Sequence, residues 1–104
     1  MVKVNAIRRH QKLQKITIRG HAGYADKGQD LVCAGISSIA VGMMNALDQL
    51  TPETCVLLMK DADIEIQVIK ETTENQLLLE SLIIQLKTLK ESYKTYVQIN
   101  EQEV

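Results

Sequence analysis

Residues 2–9, "VKVNAIRR", alternate apolar and polar with period two and predict a strand. "HQKLQ" supplies a polar turn. "QKITIRG" then predicts a second strand, with Ile16 and Ile18 on one face, so the two strands form a hairpin. Gly20 to Asp30 loses the alternation and reads as a loop. From Leu31 to about Leu50 the pattern is apolar nearly all round, which predicts a helix covered by a sheet on one side and by something else on the other. Asp30 stands where an N-cap belongs, and Pro52 in "LTPET" forbids continuation. Gly35, Ala34, Ala40 and Gly42 are small enough for a neighbouring backbone to approach.

"TCVLLMK" predicts a continuous apolar strand, "DAD" a turn, and "IEIQVIK" a partner strand with Ile64, Ile66 and Val68 alternating. Thr73-Glu74-Asn75-Gln76 matches a capping box and opens a second helix. Its stripe is Leu79, Leu82, Ile83, Leu86 and Leu89. "YKTYVQI" reads as a last strand and "NEQEV" as an unpacked tail. The order ββαββαβ predicts an α+β two-layer sandwich, a mostly antiparallel sheet with two helices packed against it. A chain of 104 residues gives one domain, 1–104. With no Trp or Phe, its core must be aliphatic and Met-filled, with Met43 and Met44 as packing residues.

Charge changes the picture locally. The net charge of -1 exerts no global pull on nucleic acid or membrane. Yet Lys3, Arg8, Arg9, Lys12, Lys15, Arg19 and Lys27 all precede position 28, where Asp26 is the only acid. This basic N-terminal face reads either as a solvated strand pair or as a docking surface for something anionic. The uncharged run from Leu31 to Leu47 is short for a membrane span, carries Ser37, Ser38 and Asn45, and is flanked by Asp30 and Asp48, so no membrane role is expected. The N-terminal residues lack a signal peptide's apolar segment, and two cysteines make no disulfide framework. The expected setting is reducing and cytoplasmic.

The candidate chemistry lies in "RGHAGYADKGQDLVCAGISS", Arg19 to Ser38. Counting Leu31 as the first helical residue, Cys33 is the third, where unpaired amides and the helix dipole favour a thiolate. It reads as a reactive thiol or as a small apolar core residue. His21 follows a strand end in the loop leading to that helix, so its imidazole can reach the thiol, take its proton and return it to a leaving amine. Alone it would be a solvated loop histidine. Asp30 can orient the imidazole as a third member, but the N-cap preference favours the helix cap. Gly23, Tyr24 and Gly28 can shape a cleft mouth or a mobile lid, and Ser37 shares a face with Cys33. His10 in "RRHQK" is expected at the surface and Cys55 inert in its strand. Neither zinc spacing, a phosphate loop nor a dinucleotide fingerprint is present, so no metal and no cofactor are expected.

Gly20-His21-Ala22, then Gly28-Gln29-Asp30-Leu31-Val32-Cys33-Ala34, then Ser37, resembles the signature of the ribosomal-processing cysteine protease family, Prp. In that family a Gly-His-Ala motif and a Gly-x-Asp-x-Val-Cys-Ala motif flank a short variable loop. The similarity extends over the whole order of elements. It implies that His21 is the general base and Cys33 the nucleophile. It implies a substrate too: the twenty-seventh protein of the large ribosomal subunit, made in some bacteria with an N-terminal extension that the protease removes during ribosome biogenesis. That extension ends in hydrophobic and aromatic residues, so an apolar groove is expected, and the 23–29 loop has to move or order itself to admit an extended peptide. A homodimer is also implied, with no direct nucleic-acid requirement. Two readings compete: a non-catalytic ribosome assembly factor that binds RNA through the basic hairpin, and a thiol redox protein, which the absence of Cys-x-x-Cys opposes.

Overall fold

The computed structural model describes residues 1–26 and 28–104. The elements are β1 (Val2–Arg9), β2 (Lys12–Arg19), α1 (Leu31–Leu50), β3 (Cys55–Lys60), β4 (Asp63–Val68), α2 (Thr73–Ser92) and β5 (Val97–Glu103). The strands form one sheet in the order β3-β4-β2-β1-β5. Pairing is antiparallel except between β1 and β5, which run parallel, so the sheet is mixed. The α+β order ββαββαβ stands.

Alternation decides which face the helices cover. In β1, Val2, Val4 and Ala6 are buried while Lys3 and Asn5 are exposed, and Ile16, Ile18, Ile64, Ile66 and Val97 continue the same apolar face. From α1, Val32, Ile36, Ala40, Met43 and Leu47 pack into this layer; from α2, Leu79, Leu82, Ile83 and Leu86 do. Each buried Val, Leu, Ile or Met side chain among them contributes roughly 1.5–3 kcal/mol relative to solvent. The opposite face of the sheet is polar, with Arg19 paired to Asp63 at 3.0 Å and Lys15 to Glu65 at 3.5 Å.

The first hairpin differs from the expected turn. Only His10 and Gln11 turn, both with positive φ (50° and 69°), and β2 starts at Lys12. The register shifts between Ile7–Lys15 and Arg8–Leu13, which leaves Gln14 as an extra residue. This bulge swings Leu13 onto the face of Ile16 and Ile18, where it is wholly buried. The backbone of Leu13 is then bonded by a side chain: the buried Gln76 amide accepts its N–H and donates to its carbonyl, each at 2.8 Å. That engagement also moves the capping box of α2 one residue earlier than expected. Thr72 accepts the Asn75 amide at 3.0 Å, and Asn75 Oδ1 accepts the Thr72 amide at 3.1 Å.

Three further expectations are corrected. The helix α1 buries a single stripe, and Ser37, Ser38, Gly42 and Asn45 face outward instead of lying under a second layer. Of its small residues, Gly35 meets α2, where an added Cβ would come 3.2 Å from Leu89 Cδ1. The "NEQEV" segment is no loose tail: β5 reaches Glu103, and its polar residues suit an edge strand whose backbone pairs with β1 as far as Arg8. Lastly, half of the described basic set is ion-paired. Arg8 binds Glu80 at 2.7 Å and Glu101 at 2.8 Å, and Arg19 and Lys15 bind acids of β4. Lys27 of that set lies outside the described residues.

Candidate active site

The site begins where β2 ends. Gly20 has φ +101°, and a Cβ there would meet the Met1 carbonyl oxygen at 2.6 Å, so no other residue fits. Its amide donates to the Ala62 carbonyl at 3.0 Å, tying the loop to the β3–β4 turn, and the Met1 nitrogen donates to the His21 carbonyl at 2.6 Å. Ala22 is buried, and its N–H points at Cys33 Sγ, 3.3 Å away. Gly23 and Gly28 hold positive φ (72° and 89°).

Asp30 closes the loop onto the helix. Its Oδ1 accepts the Cys33 amide and its Oδ2 accepts the Tyr24 amide, each at 3.0 Å. Both oxygens therefore serve backbone amides, one in the helix and one in the loop. The Cys33 amide is the main cause that holds the carboxyl below its usual range; burial opposes it, and the Tyr24 and Ala25 amides add to it. Cys33 itself is half-buried at the third position of α1 and has no disulfide partner.

These residues line a cavity of about 880 Å³, inside the roughly 300–1,000 Å³ that ligand clefts occupy. One wall is the loop, with His21, Gly23, Gly28 and Asp30. A second is the first turns of α1, with Cys33 and Ser37, and its third wall is the β3–β4 turn, Met59 to Ile64. His21 and Cys33 thus face one cleft. Tyr24 lies between the lining residues Gly23 and Ala25, and its ring packs edge-to-face with Tyr93 and Tyr96. His10 is exposed in the first hairpin turn, at the opposite end of β2 from this loop. Cys55 is half-buried on β3, where burial pushes its thiol pKa up. Among the described residues, no group of three or more His, Cys, Asp or Glu side chains is placed to hold a metal.

The β3–β4 wall and the tyrosine contact are absent from the sequence reading. β4 pairs with β2, a strand far from it in sequence, and no local signal marks that pairing.

A family model described as cysteine protease Prp matches residues 1–98. The chain belongs to this family. It is a cysteine protease, related to proteins that process ribosomal components. The Prp of Bacillus subtilis is 30% identical, with 95% of this chain and 96% of that protein covered, and the Prp of Mycoplasma pneumoniae is 32% identical, with 85% and 87% covered. The structure of Prp from Staphylococcus aureus with a covalently linked product peptide superimposes with a TM-score of 0.92 at 28% identity, over 97% of this chain and 99% of that one.

Proposed function

We propose that residues 1–104 form one catalytic domain, a cysteine endopeptidase that removes the N-terminal extension of a large-subunit ribosomal protein, the twenty-seventh, in the cytoplasm. The observation that carries the reading is the shared cleft: His21 on the loop and Cys33 in the first turn of α1 line one cavity large enough for a peptide. Cys33 is the nucleophile and His21 the general base. The Cys33 thiolate attacks the scissile carbonyl and forms a C–S bond. The imidazolium of His21 gives the proton taken from the thiol to the departing amine as the C–N bond breaks, and water then hydrolyses the thioester. The Ala22 amide donates to the sulfur and so helps fix its place in the cleft. Asp30 acts as the helix cap and loop staple and leaves the proton transfer to His21.

The relative with a covalently linked product peptide supports a covalent route, and structures of the Staphylococcus aureus Prp with product and substrate peptides support a peptide substrate. Val2, Ile18, Val41 and Met59 give the cleft the apolar lining that a hydrophobic extension needs. The outward, uncharged face of α1 supports a homodimer, and the paired state of Arg8, Lys15 and Arg19 weighs against RNA binding through the hairpin. Incubation with the extended ribosomal protein tests the reading. A product shortened at its N-terminus is expected from the unaltered protein and none from Cys33→Ala. An uncut precursor, or equal cutting by both, contradicts it.

A further inference from the structure

The chain has three tyrosines and no other aromatic residue, and all three meet at one place. Tyr24 contacts Tyr93 with ring centroids 5.5 Å apart at 86°, and Tyr96 with centroids 5.2 Å apart at 76°, both edge-to-face. Such geometry is attractive beyond simple burial, because a positive ring edge meets a negative ring face. The two partners are fixed parts of the scaffold. Tyr93 caps the C-terminus of α2, the Tyr96 amide donates to the Tyr93 carbonyl at 3.0 Å, and the Val2 amide donates to the Tyr96 carbonyl at 2.9 Å. Tyr93 and Tyr96 pack against the hydrophobic core, whereas Tyr24 is 41% exposed and outside it. The Tyr24 ring therefore adds little to the core; its contacts are with the α2–β5 connection.

Tyr24 is also tied to the site through its backbone. Its amide is held by Asp30, whose other oxygen holds the Cys33 amide. Two residues earlier the Ala22 amide points at the Cys33 sulfur, and one before that is His21. Gly20, pressed against Met1, fixes the near end of this segment, and the tyrosine contact fixes the far end. The cleft is open with the ring so seated, so seating does not exclude substrate. The movement expected of the 23–29 loop includes Lys27, outside the described residues; the tyrosine contact bears only on the 20–24 segment and Asp30.

We propose that Tyr24, seated on Tyr93 and Tyr96, is a positioning residue that keeps the loop assembled, with the Ala22 amide on the Cys33 sulfur and His21 facing the cleft. This rests on the peptidase reading above. The α2–β5 connection thereby becomes part of the active-site support. Because the chain has no Trp and no tyrosine elsewhere, near-ultraviolet dichroism of tyrosine reports on this cluster.

The test compares Tyr24→Ala, Tyr93→Ala, the double variant and Tyr24→Phe, on the full chain with the extended ribosomal protein. Each alanine variant is expected to lower kcat about tenfold with KM changed much less, and the double variant to be no worse than the poorer single one. Tyr24→Phe keeps the ring and restores kcat. Hydrogen exchange at the Ala22 amide is expected to accelerate in the alanine variants and to stay slow in Tyr24→Phe. Unchanged kcat and unchanged Ala22 exchange in Tyr24→Ala overturn the proposal, as do fully additive losses. Should Tyr93→Ala fail to fold, Tyr24→Ala on its exposed loop decides alone. If the unaltered protein leaves the precursor uncut, the peptidase reading fails separately. Ala22 exchange then decides the positioning role of Tyr24: faster in Tyr24→Ala sustains it, unchanged overturns it.

Discussion

The molecule contains the same unit twice, a hairpin followed by a 20-residue helix, and the two copies join their parts differently. In the second, four residues link β4 to α2, and Thr72 and Asn75 cap each other. In the first, the link runs from Gly20 to Asp30, and the cap's spare oxygen reaches back to the loop at Tyr24. The third helical residue is Asn75 in one and Cys33 in the other. Asn75 is wholly buried, with its amide also donating to the Lys70 carbonyl at 2.8 Å, whereas Cys33 faces an open cleft. One position in one supersecondary unit is thus a structural lock when the connection is short and a cleft-lining thiol when it is long. The difference lies in the loop, which a helix N-terminus alone does not supply.

Substitutions at the matched positions separate these roles. Cys33→Ala is expected to reduce precursor cleavage at least ~10³-fold while the thermal unfolding midpoint shifts little, since a half-buried sulfur contributes little packing. His21→Ala is expected to cost roughly 10²–10⁴-fold in kcat, the usual worth of a positioned base, again with the fold intact. Gly20→Ala combines an adverse φ with a clash against Met1 backbone, so it is expected to destabilise by about 2–3 kcal/mol in denaturant unfolding and to lower activity as well. Asn75→Ala is expected to cost about 2 kcal/mol by the same measurement, because the Thr72 amide and Lys70 carbonyl lose their partner, while the residual folded protein cleaves normally.

The smallest effect concerns acid. Arg8 holds the Glu80 carboxyl below its usual range, and Lys87, then Arg8, do the same for Glu101. For groups whose folded pKa is depressed, the stabilisation is complete above the unfolded value, about 4.3 for glutamate, and fades as pH falls through the folded values. Unfolding midpoints measured between pH 5 and 2 are expected to fall, and Glu101→Gln to flatten that fall slightly, by no more than about 1 kcal/mol for so exposed a cluster.

How far the sequence shows this comparison depends on the element. The bounds of α1 are legible because Asp30 and Pro52 punctuate them and the apolar run is long. Period-two alternation yields β1 but misplaces the start of β2, since the bulge at Gln14 reverses the parity that Leu13 would otherwise follow. The capping box is offset because Thr72 and Thr73 are interchangeable until Gln76 is seen to serve Leu13. β5 is longer than its composition signals, because edge pairing to β1 uses backbone and asks little of the side chains. In the site, the motif around His21 and Cys33 is local and readable. The β3–β4 wall and the Tyr93–Tyr96 seat are not, as both come from long-range packing that no spacing encodes.

The most direct test of Cys33 as nucleophile is mass spectrometry of the protein quenched in acid during turnover of the extended ribosomal protein, followed by peptide mapping. The expected result is an adduct with the mass of the released N-terminal segment, mapped to Cys33 and absent from Cys33→Ala. An adduct on Cys55, or continued cleavage by Cys33→Ala, would contradict it.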